Sequence, residues 1–306
     1  MIKIHDINKN LRWYEVQDPD QEEQNQLVKL GITPEFLFYA LDPNESARTE
    51  IDQPTGSVLI VFDIITPNSD LAATEPVGII LDKEGRLFTI ARQTTAHISK
   101  KILAPVRNNV DETSQENLNA IDAFLDASSV LIADYISAIT TINRQRNIIQ
   151  SNLRQKLETG AVSSLMELET SMIYMLDSLR TDRTAISRLQ AYLSSEISKH
   201  QEEFFEDVLV ENTQAIDMAN QAAEVIASIS SAYSNLNNQR LDRSLRTLTM
   251  LQALMAVPTL VTGFYGMNVH LPLANFHDAW ILTFAISLIM VLVELLILYK
   301  AKFFDR

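Results

Sequence analysis

Gly266-Met267-Asn268 closes an uncharged run of nineteen residues, Thr247–Tyr265, and opens a short segment that contains no Lys or Arg. The chemistry on offer is oxygen donation. Asn268 supplies a carboxamide oxygen, backbone carbonyls add more, and Gly266 lets the chain turn tightly and approach a neighbour closely. Such oxygens suit Mg2+, which sheds its water reluctantly and is usually held through it. The plainer reading of Asn268 is a helix cap, a role Asn fills well. Counting back from Gly266 by threes and fours reaches Thr262, Thr259, Met255, Gln252 and Leu248. That stripe carries two hydroxyls and one amide in a run that is otherwise hydrocarbon, and polar side chains in such runs face a helix bundle or a watery cavity. Gln252 has the alternative of bonding a neighbouring helix. Leu248 and Leu245, at the foot of the stripe, fit an apolar constriction that gates by excluding water.

Other candidate groups are weaker. His270 and His277 hint at a softer metal, but two histidines seven apart in a loop make a poor ligand set. Asp278 is the one charge in the segment Gly266–Asp278, and Glu294 interrupts a second apolar run, where pairing with Arg243 or Arg246 is expected. The chain has no cysteine, which excludes disulfides and thiolate metal sites and fits a reducing compartment. No phosphate-binding glycine loop, paired-histidine metal motif or nucleophile signature is present, so an enzyme is not expected. A net charge of −14 argues against nucleic acid as a partner and is compatible with drawing in cations.

Three kinds of element must position these groups. Residues 1–105 read as mixed α/β, with strands at Arg12–Val16, Ser57–Ile65, Val77–Leu81 and Arg86–Arg92 and a turn at Lys83-Glu84-Gly85. Helical spacing covers Asp20–Leu30 and Thr33–Leu41, where Thr33-Pro34-Glu35 makes a good helix start. Residues 106–246 are dominated by helix formers, and Arg107–Val257 contains no proline and only Gly160. One helix is expected over Glu112–Glu158, a turn at Thr159-Gly160, a second helix over Val162–Ser195, and a third from Ser198 into the first uncharged run. Such a helix would be roughly 100 Å long at 1.5 Å per residue, too long for one compact domain, and should pack beside other helices or copies of itself.

Thr247–Tyr265 and Ala279–Tyr299 are each long enough to cross a bilayer, with Glu294 the single charge in the second. Arg240, Arg243 and Arg246 precede the first span; Lys300, Lys302 and Arg306 follow the second. The positive-inside rule therefore places both termini in the cytoplasm and the loop 266–278 outside, and the N-terminus shows no apolar signal core. The expected layout is a cytoplasmic α/β domain over 1–105, a long-helix stalk over 106–246, spans at 247–265 and 279–299 separated by the 266–278 loop, and a basic tail over 300–306.

Tyr265-Gly266-Met267-Asn268 at the outer end of the first of two C-terminal spans resembles the CorA magnesium channels. Trp13-Tyr14-Glu15, Gly31-Ile32-Thr33-Pro34, Ala40-Leu41-Asp42-Pro43, Arg48-Thr49-Glu50 and Val77-Gly78-Ile79-Ile80-Leu81 are similar to that family's N-terminal domain. Leu236-Asn237-Asn238 and Leu245-Arg246-Thr247-Leu248-Thr249 resemble the approach to its pore helix. The resemblance implies a funnel-shaped homopentamer in the cell's inner or plasma membrane, surrounded by lipid, that conducts hydrated Mg2+, with Co2+ and Ni2+ as further cargo. Gly266, Met267 and Asn268 would form the selectivity filter, and Thr259 and Leu248 fall on pore-lining positions. The family senses cytoplasmic Mg2+ with acids between subunits, and Asp207 falls on the stalk acid. Its partner belongs to a segment that here reads Phe38-Tyr39-Ala40, which leaves Asp42 as a nearby substitute. Two alternatives remain: a zinc transporter of the ZntB type, whose members usually replace Met267, and a membrane-anchored helical signalling protein, which leaves the motif and stripe unexplained.

Overall fold

The computed structural model describes residues 1–66, 73–102, 118–155, 160–267, 269 and 278–300. Its elements are β1 (Ile2–Asp6), β2 (Arg12–Gln17), α1 (Gln21–Lys29), α2 (Pro34–Leu41), β3 (Arg48–Ile51), β4 (Val58–Thr66), β5 (Ala73–Leu81), β6 (Arg86–Ala91), α3 (Ala120–Gln155), α4 (Ala161–Leu193), α5 (Lys199–Tyr265) and α6 (Ala279–Lys300). They fall into two compact units, Met1–Ser230 and Ser231–Arg306.

The first unit is built on one sheet of order β1-β2-β6-β5-β4-β3, antiparallel except where β2 runs parallel to β6. The period of two along each strand sorts its apolar residues onto both faces. Tyr14, Val16, Leu59, Val61, Ile80 and Phe88 meet Leu27, Phe36 and Leu37 of α1 and α2. On the other face Trp13, Ile60, Phe62 and Ile79 join Phe124 and Tyr135 of α3, Leu179 and Ile186 of α4, and Phe205 of α5. The sheet and these helices therefore share one core. Trp13 is almost wholly buried, and its indole N–H donates to Thr89 Oγ1 at 3.0 Å, so the ring adds apolar burial without an orphaned donor.

Local chemistry sets the boundaries. Asp20 accepts from the Glu22 and Glu23 amides while the Glu23 carboxylate returns to the Asp20 amide, a reciprocal cap of α1 worth about 1 kcal/mol. Thr33 Oγ1 accepts from the Phe36 amide, and Pro34 opens α2 where no N–H is needed. Gly85 turns β5 into β6 with φ of +75°, a region open to glycine, while Asp82 Oδ1 accepts the Glu84 and Arg86 amides.

Three features differ from the sequence expectation. β1 and β3 are strands at the two edges of the sheet, where half-exposed, charged segments such as Arg-Thr-Glu-Ile are at home and carry little apolar signal. β5 begins at Ala73, before the apolar run from Val77. Helix α3 begins at Ala120, because Asn119 Oδ1 accepts the Ile121 and Asp122 amides and the Asp122 carboxylate accepts the Asn119 amide. The expected earlier residues of that helix, and Thr159 of the turn before Gly160, lie outside the described residues.

In the second unit, the remainder of α5 and α6 display apolar side chains outward: Met255 is 67% exposed, Leu260 69% and Phe284 68%. Among its described residues only Tyr233, Val261 and Ser287 are buried. Surface of this kind needs lipid or other helices to cover it. Among the described residues, three helices are long and apolar enough to cross a membrane, within α3, α5 and α6. In α3 half of the apolar window is buried, with Phe124, Leu131 and Tyr135 in the core of the first unit.

Candidate functional site

Leu245, Leu248, Gln252, Met255, Thr259 and Thr262 lie on α5, and every one of them is exposed. Thr259 Oγ1 donates to the Met255 carbonyl at 2.8 Å, and Thr262 Oγ1 donates to the Pro258 carbonyl at 2.9 Å. Each hydroxyl hydrogen is thus spent on its own helix, which leaves the oxygen's lone pairs to face outward as acceptors. Pro258 sits inside the helix and has no N–H to return to the Leu254 carbonyl.

Helix α5 ends at Tyr265, and the Gly266 amide donates to the Thr262 carbonyl at 2.9 Å. A Cβ at Gly266 would stand 3.1 Å from that same carbonyl oxygen. A side chain here would crowd that carbonyl by a few tenths of an ångström; the glycines with positive φ among the described residues are Gly31, Gly56 and Gly85. Met267 is 53% exposed. Asn268, His270 and His277 lie outside the described residues.

The regulatory candidates belong to the first unit. Asp207 is exposed on α5, near Val210, whose side chain is also exposed. Val210, Thr213, Asp217 and Met218 line a shallow groove of about 460 Å³. Asp42 ends α2, and its Oδ1 accepts the Asn44 amide at 2.9 Å. With Gln24, Val28, Phe38 and Pro43 it lines a groove of about 700 Å³. Tyr39 donates its phenol proton to Glu35 Oε1 at 2.9 Å, and the Arg48 guanidinium lies 4.1 Å from the centre of its ring. A cation therefore occupies the neighbourhood where the family's second acid is expected. Among the described residues no hydrogen bond or ion pair joins Asp42 to Asp207. Among the described residues, no group of three or more His, Asp or Glu side chains is gathered to hold a metal.

Glu294 makes no ion pair with Arg243 or Arg246 among the described residues, and its Oε2 is buried without a hydrogen-bond partner. The sequence reading also passed over two acids of the first unit. Asp182 is wholly buried, and Asp63 is partly so. Burial pushes the Asp182 carboxyl well above its ordinary range, with the charge of Asp63 adding to the shift. Asp63 is raised chiefly by burial too, partly offset by a hydrogen bond from Ser178. A lone Asp in the middle of a helix gives no sequence signal of this kind.

The family described as CorA-like Mg2+ transporter protein matches residues 8–300 of the chain, which spans the sheet from β2 onward, the long helices and both C-terminal apolar helices. The chain belongs to this family. The cobalt/magnesium transport protein CorA of Methanocaldococcus jannaschii is 24% identical over 287 residues, covering 92% of this chain and 88% of that protein. The complete structure of the CorA magnesium transporter from the same organism superposes with a TM-score of 0.81 over 95% of this chain and 90% of its own, at 24% identity. The ZntB cytoplasmic domain of Vibrio parahaemolyticus is a more distant likeness of fold, with a TM-score of 0.59 and 11% identity over 74% of this chain and 88% of its own. The CorA-like fold thus accounts for the α/β domain, the long helix and the C-terminal helix together.

Proposed function

We propose that this chain is a divalent-cation channel of the CorA kind that takes up Mg2+, with Co2+ as further cargo. The observation that carries the reading is the extent of the family match, residues 8–300, which includes the sheet domain and both apolar C-terminal helices. In this reading the chain assembles as a homopentamer, and residues 247–265 of each copy line one pore. Residues 1–105 and 106–246 stay in the cytoplasm, 266–278 form the outer loop, 279–299 cross back, and the basic tail 300–306 is again cytoplasmic. The Arg and Lys residues flanking the two apolar runs support that orientation.

Gly266, Met267 and Asn268 would hold the hydrated ion through carboxamide and carbonyl oxygens without stripping its water. Below them, Thr262 and Thr259 present hydroxyl oxygens whose hydrogens are already donated along the helix, which favours cations over anions. Met255, Gln252, Leu248 and Leu245 complete the wall, the two leucines as the apolar gate. The outward-facing hydrocarbon of α5 and α6 would be covered by lipid and by neighbouring copies. Asp207 and Asp42 would meet across a subunit boundary, beside the exposed Val210 and Phe38, and repel one another when cytoplasmic Mg2+ is low. With no nucleotide site in the sequence, the driving force is the ion gradient plus a membrane potential worth about 2.3 kcal/mol per charge at 100 mV.

The test is ion uptake into proteoliposomes that contain only this protein, with and without an imposed potential. Potential-driven Mg2+ entry is the expected result. Zinc entry without Mg2+ entry, or no flux from protein shown to be folded, would refute the proposal.

A further inference from the structure

Strand β3 has only four residues and pairs with Val58–Val61, whereas β4 continues to Thr66. Beyond Val61 the outer edge of β4 has outrun its strand partner. Asp63 stands opposite Pro76 of β5, which has no N–H to exchange, so both backbone polar groups of Asp63 turn toward that open edge. Two helices satisfy them. Asp182 Oδ1 of α4 accepts the Asp63 amide at 2.8 Å, and the Tyr135 hydroxyl of α3 donates to the Asp63 carbonyl at 3.0 Å. Asp182 and Tyr135 are both 0% exposed. The other oxygen of Asp182, Oδ2, is buried without a hydrogen-bond partner.

The surroundings are acidic and hydroxylic. The Asp63 carboxyl sits beside Ser178 of α4, whose Oγ lies 2.8 Å from Thr74 Oγ1 of β5. Asp177 of α4 adds repulsion to Asp63, and Tyr135 feels both Asp182 and Asp63. Among the described residues, several cations carried by the elements packed here are engaged elsewhere, and the His97 ring lies 3.0 Å from the Ile65 carbonyl on the same edge of β4. Arg48 pairs with Glu45 and Glu50, Arg92 with Glu75, and Lys101 with Asp134; Arg180 bonds Asn220, and Arg183 bonds Thr213. A carboxylate at Asp182 would thus be a wholly buried charge with an acid as its neighbour, an arrangement whose cost a bound proton removes.

We propose that the junction of Asp182 with Asp63 is a proton-operated latch that fastens α4 to the unpaired edge of β4. In the neutral form Asp182 keeps its hydrogen bond to the Asp63 amide with no buried charge. When it ionises, the charge must be hydrated or moved away, and the helix loosens from the sheet. The direction follows from burial. The folded state binds this proton more tightly than the unfolded chain, whose Asp titrates near 3.8. The stabilisation is therefore full below that value and is lost as pH rises through the higher folded value. Two adjacent carboxyls would also suit a shared cation, so the test separates the two ligands.

The experiment is thermal unfolding of the full chain in detergent from about pH 5 to about pH 9, with hydrogen exchange followed along α4, for wild type, Asp182→Asn and Asp63→Asn. Asparagine mimics the neutral acid and still accepts the Asp63 amide. The midpoint of the wild type should fall and exchange in α4 should quicken as pH rises, and Asp182→Asn should remove most of that slope. A slope in Asp182→Asn parallel to wild type overturns the latch. Should the variants fail to fold, the infrared band of a neutral buried carboxylic acid must be present in the wild type at neutral pH, and its absence overturns the latch. A midpoint raised by Mg2+ in wild type but not in Asp182→Asn, independent of pH, would replace the proton with a cation. No such effect of Mg2+ supports the proton.

Discussion

Replacing Gly78 by Ala tests whether α2 is seated on the sheet by direct backbone approach. A Cβ added at Gly78 would lie 2.3 Å from Ala40 Cβ and 3.1 Å from Ala40 Cα. Carbon atoms in good contact are about 3.5–4.0 Å apart, and neither obstacle is the tip of a flexible side chain. Helix α2 must therefore lift or bend. Overpacking of this sort costs about 1–3 kcal/mol, and removing a glycine from a strand returns about 0.5–1 kcal/mol. The net loss should be about 1–2 kcal/mol, which for a unit of this size lowers the unfolding midpoint by about 2–8 °C. Ala40→Gly removes the obstructing methyl at a cost of about 1 kcal/mol in helix propensity. The double variant should then be less destabilised than the sum of the single ones, by about 0.5 kcal/mol or more. Thermal unfolding followed by tryptophan fluorescence suits the measurement, because Trp13 lies in the sheet of the first unit and Trp280 on α6 of the second. An unchanged midpoint in Gly78→Ala, or strict additivity in the pair, would show that contact between α2 and β5 does not set the position of the helix.

Asn268→Ala should lower Mg2+ flux into proteoliposomes by about tenfold or more, equivalent to about 1.4 kcal/mol at the barrier, and unchanged flux would remove the filter assignment. Asp207→Ala should weaken inhibition by Mg2+ on the cytoplasmic side, with Asp42→Ala acting in the same direction. If inhibition curves for both variants coincide with wild type, these acids are no sensor. Tyr135→Phe removes the donor to the Asp63 carbonyl in a buried site and should cost about 1–3 kcal/mol, read as a lower unfolding midpoint without any change in the dependence of flux on potential.

Much of the architecture was legible because its causes are local. Thr33 and Pro34 mark the start of α2 by satisfying an exposed amide and by lacking one, and Asp82 with Gly85 marks a turn through a positive φ. The helix-forming stretch, proline-free as far as Val257, foretold a helix from Ser198 into the first uncharged run, and helical period alone laid the polar stripe from Thr262 to Leu248 along one side of it. The edge strands β1 and β3 were not legible. Their residues look like polar linker, and only a neighbouring strand that offers its backbone makes them part of a sheet. The start of α3 at Asn119 was also missed, since Asn119 and Asp122 sit in a run whose composition is helical on both sides.

The buried acids mark the boundary most clearly. In sequence Asp182 stands between Arg180 and Arg183 and reads as one more charge on a solvated helix face. The fold turns that position inward because β4 outruns β3 and leaves the Asp63 amide in need of an acceptor. Sequence by itself determined the two long apolar runs, the oxygen-bearing motif at the end of the first and the order of the elements, all of which follow from spacing along one chain. Tertiary structure decided which polar groups lose water, because burial depends on where distant segments meet, and spacing along the chain carries no record of that.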